Sequence, residues 1–262
     1  MQSHLEPSTS PNPIVVDKPY GATPLETIGA LRHLGVLQED EKATYAGRLD
    51  PLATGVLLIL HGDMVHQKEQ FLALEKCYEI ELIFGIKTDT GDLLGIVECA
   101  ETNSIPTTCN IDTFCNILES ITEIPYPMFS SKTVNGKPLH AYARKNQMTQ
   151  IPMRAMQYTC QRVEVMESRL LQDIRMQVQN ACTLVHGDFR QEEIQTSWEQ
   201  TVYPQKLPAL RATIRATSGT YMRSIPEILN KHNILCTLTK IRRISVGPYI
   251  LSSACEISHT EN

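Results

Sequence analysis

Asp50 stands where a side chain can do chemistry, between the turn glycine Gly47 and the apolar run from Gly55 to Leu60. A carboxylate at such a junction is held rigidly and partly withdrawn from water, as a nucleophile or general base must be. Taken alone, Asp50-Pro51 reads first as an ordinary turn start. Other chemistries find less support. The 8 cysteines are scattered without a Cys-x-x-Cys pair, and His61 and His66 lack zinc-ligand spacing, so no metal site is expected. Lys and Arg cluster at Lys132 with Lys137, Arg144 with Lys145, Arg211 with Arg215 and Arg223, and Lys240 with Arg242 and Arg243. Each cluster taken singly is more often a solvated face. A net charge of -5 argues against indiscriminate polyanion binding, yet a local basic surface still suffices for RNA.

The elements that must position Asp50 follow from the patterning. With 262 residues, 42% of them hydrophobic, the chain can bury one substantial core. Residues 1–13, rich in Ser, Pro and Asn, read as a flexible leader, 14–255 as one domain and 256–262 as a tail. Ile14 to Val16 reads as a strand closed by the turn Lys18-Pro19-Tyr20-Gly21, and Thr23 as the cap of a helix through about Leu34. A polar segment follows to Ala46. Gly55 to Leu60 and Cys77 to Phe84 are expected strands, which leaves Asp50 in a loop just before a buried strand. Asp112 to Ile121 is expected to be helical. Tyr158 to Val165, Ile174 to Cys182 and Leu210 to Ala216 alternate as strands do. Pro125 to Lys145 reads as a projecting loop, and Val185 to Lys206, with the only Trp, Trp198, shows no clear periodicity. Antiparallel strands with a few helices imply an α+β fold. No stretch approaches the ~20 apolar residues of a membrane span, and the thiols read as reduced and cytoplasmic.

The run Gly47-x-Leu49-Asp50-Pro51-x-Ala53-x-Gly55 resembles the catalytic motif of the TruB pseudouridine synthases. Further matches follow in the family's order: Asp17-Lys18-Pro19-x-Gly21, Lys76-x-Tyr78, and Gly85-x-x-Thr88-Asp89-Thr90-x-Asp92-x-x-Gly95. Pro127-Met128-x-Ser130, Val134 to Leu139 and Tyr142-Ala143-Arg144 resemble the family's RNA-gripping loop, placed here at about 125–152. Ser218 to Ser224 and Ile241-Arg242-Arg243-x-x-Val246-Gly247 close the series.

The resemblance implies the pseudouridine synthase fold, a mixed and mostly antiparallel sheet flanked by helices and loops, with an RNA-binding cleft. It implies that a uridine's N-glycosidic bond is broken, the base rotated, and its C5 joined to the ribose C1′. No cofactor is expected, since nothing is oxidised or reduced. Asp50 then attacks C1′ or uracil C6, or removes a sugar proton, three routes that stay open. Arg223 pairs with Asp50 and keeps it ionised; its plain reading is an arginine at an exposed helix start. Tyr78 stacks on the flipped uracil or shuttles the C5 proton, where by default a tyrosine on a strand is half-buried core. Lys18, Pro19, Lys132, Lys137, Tyr142, Arg144, Ile241 and Arg242 are expected to contact RNA.

Three departures from the family pattern stand out. Tyr45 occupies the place of a histidine that wedges into the RNA stack in bacterial members. Gly47-Arg48-Leu49-Asp50 also resembles the motif of two other pseudouridine synthase families in which the arginine is the wedge, so Tyr45 or Arg48 is expected to fill the gap left by the flipped base. About fifteen residues follow Pro248, too few for the PUA domain of longer members. Pro226 either kinks the helix after Arg223 or lies in its first turn. The expected substrate is uridine 55 in the T-stem-loop of tRNA, modified by a monomer needing no guide RNA or obligatory protein partner. A non-catalytic tRNA-folding protein on the same fold, a guide-directed enzyme and a small-molecule enzyme are the alternatives.

Overall fold

A computed structural model describes residues 12–101, 111–145, 147, 149–201, 205–251 and 255–256. Nearly all of the expected leader and tail lies outside these residues. Strand β1 (Ile14–Lys18) leads to α1 (Pro24–His33), whose N-cap Thr23 forms a reciprocal capping box with Glu26. Next come β2 (Ala43–Ala46), within the segment expected to be merely polar, and β3 (Ala53–His61). Helix α2 (Lys68–Ala73) precedes β4 (Lys76–Phe84), and a ribbon of β5 (Ile86–Thr88) and β6 (Val97–Ala100) precedes α3 (Ile111–Ser120). The expected projecting loop has a stem and internal structure. Strand β7 (Glu123–Pro125) is followed by a small hairpin of β8 (Thr133–Val134) and β9 (Lys137–Pro138), by α4 (Leu139–Ala143), and by β10 (Met153–Ala155), which pairs with β7.

Strand β11 (Tyr158–Leu170) then runs into a correction. Ile174 to Cys182, expected to be a strand, belongs to α5 (Leu171–Leu184). Its buried residues, Leu171, Ile174, Val178, Ala181 and Cys182, recur every three or four positions, and that helical period overrides the local alternation. Helix α6 (Gln191–Gln200) follows, burying Ile194 and Trp198 one turn apart, with the indole N–H donating to the Gly95 carbonyl at 3.1 Å. Strand β12 (Lys206–Ala216), α7 (Ser224–Lys231), β13 (Cys236–Val246), β14 (Tyr249–Ile250) and β15 (Cys255–Glu256) are the last elements among the described residues. Pro226 lies in the first turn of α7, where its missing N–H costs no helix bond.

The main sheet runs β11-β12-β4-β13-β3-β1-β15, with β2 paired to β3 and β14 to β13. Most pairs are antiparallel; β13 with β3 and β1 with β15 are parallel. Strand β3 explains its unbroken apolar run, because Leu57 and Ile59 face one core while Val56, Leu58 and Leu60 face another. Helices α1, α3 and α7 cover one face of the sheet, and α5 and α6 cover part of the other. No helix among the described residues is long and apolar enough to cross a membrane.

Gly55 marks where β3 and β13 approach most tightly beside the Asp50 loop. Its φ is +101°, and a Cβ there would lie 2.1 Å from the Arg243 carbonyl oxygen. Gly55→Ala is therefore expected to cost at least about 2 kcal/mol in urea denaturation. Gly29→Ala is the control: inside α1, with nothing within 4 Å of the added carbon, it should stabilise by about 0.5–1 kcal/mol.

Candidate active site

Two buried cations fix the backbone of the Asp50 loop before any side chain acts. Lys18, 0% exposed, donates from its ammonium to the carbonyls of Pro19 (2.8 Å), Ala22 (2.6 Å) and Pro51 (3.1 Å). Burial pulls its pKa down to about 7, against the opposing pull of Asp50. Arg243 donates to the carbonyl of Gly47 at 2.9 Å and to that of Val56 at 2.7 Å, bracketing the loop. Lys18 was expected to contact RNA. That expectation is corrected, since an ammonium enclosed by carbonyls has no surface to offer a phosphate.

Arg223 supplies the electrostatics. It is 6% exposed, and its Nε donates to Asp50 Oδ2 at 2.7 Å while Nη2 donates to the Phe129 carbonyl at 2.9 Å. Asp92 Oδ2 lies 3.7 Å from the same Nε, so one guanidinium faces two carboxylates. The two acids diverge. Burial works against the charge of Asp50, but Arg223, with Arg48 and Lys18 adding to it, outweighs burial and holds its carboxyl below the ordinary range. Burial prevails at Asp92 and raises its pKa, even though Arg223 and the hydrogen bonds from Thr90 Oγ1 (2.6 Å) and the Leu94 N–H (3.1 Å) favour its charge. The Asp50 side chain keeps 28% of its surface exposed, so the ionised group remains reachable.

Two cavities meet at Asp50. The larger, about 350 Å³, is lined by Tyr78, Tyr221, Ile241 and Arg243 as well as Asp50. The smaller, about 200 Å³, lies between the Asp50 loop and the projecting loop, with Phe129, Ser130, His140 and Arg144 in its wall. Tyr221 and Arg48 border both. Burial, and next the charge of Asp50, push the Tyr221 phenol above its ordinary value. Tyr221 is held by its own carbonyl, which accepts from the Tyr158 hydroxyl at 3.2 Å, and by the Arg154 guanidinium 4.6 Å from its ring.

The remaining expected RNA contacts separate by position. Ile241 faces the larger cavity, but its neighbour Arg242 points to the opposite face of the sheet, donating to Asp17 at 2.6 Å and Thr54 at 3.2 Å. The strand's two-residue period is the reason. Arg48 is exposed at the mouth, whereas Tyr45 packs partly buried on β2 with the Lys68 ammonium 5.2 Å from its ring centre. On the projecting loop Lys137 is exposed, Lys132 stacks on Tyr126, Tyr142 donates to the Val134 carbonyl, and Arg144 pairs with Asp188. Pro19 is half-buried. Asp92 and Tyr221 fall inside matched motifs but were not singled out. Phe189 and Arg190, which also line the smaller cavity, carried no readable signal.

Comparison with known proteins gives a consistent result. The family model described as "TruB family pseudouridylate synthase (N terminal domain)" matches residues 35–183. The tRNA pseudouridine synthase B of Caldicellulosiruptor saccharolyticus is 26% identical over 243 residues, 92% of this chain and 69% of that protein. The one from Burkholderia mallei is 28% identical over 242 residues, 92% of this chain and 66% of its own length. A chain in the crystal structure of a Cbf5-Nop10-Gar1 complex shares the fold, with a TM-score of 0.51 at 15% identity over 94% of this chain and 52% of that one.

The electrostatics of the pair are directly measurable. The Asp50 carboxyl carbon, followed by NMR, should titrate below the usual 3.8. Arg223→Met should move that midpoint upward. Because the folded pKa is the lower one, the stability it contributes is present above about pH 3.8 and is lost as pH falls through the folded midpoint.

Proposed function

The chain belongs to the TruB family, and from that premise we propose that it is a tRNA pseudouridine synthase that isomerises uridine 55 of the T-loop, with Asp50 as the reacting carboxylate. The observation that carries this reading is the Asp50 carboxyl group, bonded by Arg223 at 2.7 Å, at the wall of a cavity lined by Tyr78, Tyr221 and Ile241. The reaction breaks the N1–C1′ bond, forms a C5–C1′ bond, releases the C5 proton and returns a proton to N1. Atoms and electrons balance without a cofactor.

The chemistry asks little more than a positioned, charged carboxylate and a dry slot for the base. Asp50 acts at C1′, at C6, or on a sugar proton. Arg223 keeps it ionised until it reacts and favours its return to the carboxylate at the end, and the guanidinium's other contacts, to Phe129 and Asp92, hold it in place. Tyr78 and Tyr221 provide aromatic faces for the uracil, and the Tyr78 hydroxyl relays the C5 proton, passing its own proton to water as it takes one up. Drawing the base from the stack costs a few kcal/mol, so a side chain must take its place. Arg48 is that wedge: it is exposed, borders both cavities at Asp50, and has a flat guanidinium that stacks on bases, while the ring of Tyr45 is engaged with the core and Lys68.

The cations of the projecting loop, Lys132, Lys137 and Arg144, grip the phosphates of the T-stem-loop, and Tyr142 braces the loop from within. The enzyme acts as a monomer in the cytoplasm without a guide RNA.

Tritium release from tRNA labelled at uridine C5 tests the reading. Wild type should release label, and Asp50→Asn should abolish release while still binding tRNA; binding without release by wild type would instead favour a tRNA-folding protein. Arg48→Ala should slow release at least tenfold. Tyr45→Ala should change it less than threefold, and the reverse order would make Tyr45 the wedge.

A further inference from the structure

Arg154 is a buried cation that the functional reading leaves unused. It lies on β10, in the stem of the projecting loop opposite Ile124 of β7, and is 7% exposed. Among the described residues its guanidinium makes one hydrogen bond, from Nη2 to Ser224 Oγ at 3.2 Å, while Nε and Nη1 have no partner. Burial pulls its pKa below the ordinary arginine value. Unpaired donors on a buried cation cost stability, and an apolar side chain of similar volume in such a place is often neutral or better. Folding alone therefore does not account for an arginine here.

Its aromatic contacts do. The guanidinium carbon lies 4.6 Å from the ring centre of Tyr221 and 5.2 Å from that of Tyr126, and the two rings meet edge to face with centres 6.0 Å apart. A flat, delocalised cation packs on aromatic faces as neither an apolar chain nor an ammonium does. Tyr126 is fixed in the stem by its N–H, which donates to the Pro152 carbonyl at 3.2 Å, and the Lys132 ammonium of the projecting loop lies 4.8 Å from the same ring. Tyr221 and Ser224 flank Arg223, and the Ser224 N–H donates to the Tyr221 carbonyl at 3.0 Å. One guanidinium thus holds both ends of the turn that carries Arg223 and ties that turn to the projecting loop.

We infer that Arg154 is a positioning residue for the reaction, locking the Tyr221 ring as a wall of the cavity in which the uracil turns. The inference rests on the functional reading above. Between the breaking of N1–C1′ and the forming of C5–C1′ the base must rotate, so the ring beside it must stay in place while the base moves. Arg154 does not itself line either cavity at Asp50, and its effect reaches the uracil through Tyr221. The rate after binding depends on it, and the affinity for tRNA does not.

The test uses the full chain with Arg154→Met, which replaces the cation by an apolar chain of similar reach. The variant should unfold in urea at the wild-type midpoint or above, keep KM for tRNA within twofold, and lose at least tenfold in kcat for tritium release. In a Tyr221→Leu background, followed in single turnover, the same substitution should change the rate less than twofold, because the ring through which it acts is gone. Wild-type kcat in Arg154→Met overturns the inference, and so does an undiminished loss in the Tyr221→Leu background. Where Arg154→Met lowers the urea midpoint, Arg154→Lys decides. It keeps the charge without the plane and should lose kcat at unchanged KM; wild-type kcat, or a loss shared equally by kcat and KM, sinks the proposal. No turnover by wild type would overturn the functional reading instead.

Discussion

The ion pair between Arg223 and Asp50 is the constraint around which the site is built. A guanidinium removed from water cannot lose its proton, so the protein must surround it with acceptors or forfeit the cost of burying it. Asp50, Asp92 and the Phe129 carbonyl serve that need from three separate parts of the chain. Removing one partner of a buried pair typically costs about 3–5 kcal/mol, because the survivor stays buried and uncompensated. The arrangement is therefore both strongly held and asymmetric. Asp50, closest to Nε and partly open to solvent, keeps its charge, while Asp92, more enclosed, is driven toward its neutral form.

The sheet turns this local electrostatics into a directional site. Asp50 sits just before β3, Tyr78 on β4 and Ile241 on β13, three neighbouring strands. Ile241 pairs with Ile80 and Arg243 with Tyr78, so both face the core and the cavity. Arg242 pairs with Glu79 and must face away. The close passage of β13 past Gly55 lets Arg243 reach both ends of the Asp50 loop, and Lys18 anchors the same loop from β1. Two cations that a census of charge would assign to a nucleic-acid surface are instead internal fasteners of the Asp50 loop.

Cations at the mouth have a different part. Arg48 and Arg144 are exposed and both line the smaller cavity, where the projecting loop and the turn between α5 and α6 face the cleft. A chain of net charge -5 can bind RNA through such a rim, since counterion release depends on the charges that meet phosphate and not on the total.

Much of this was legible in the sequence wherever the determinants are local. The Thr23 cap, the apolar run of β3, the alternation of β4 and the spacing of the Asp50 motif all act within a few residues, and each is where the patterning places it. Helix α5 was misread because Ile174, Met176 and Val178 alternate over a short window, while the buried set that chooses between helix and strand extends from Leu171 to Cys182. What the sequence by itself determined was the family, the α+β class and the carboxylate to watch. What only the tertiary structure decided was the partnership of residues 173 positions apart in Asp50 and Arg223, the burial of Lys18, the face of Arg242, and the delivery of Phe189 and Arg190 to the cleft. Those outcomes depend on strand register and on which surfaces are covered, and neither is encoded by neighbours along the chain.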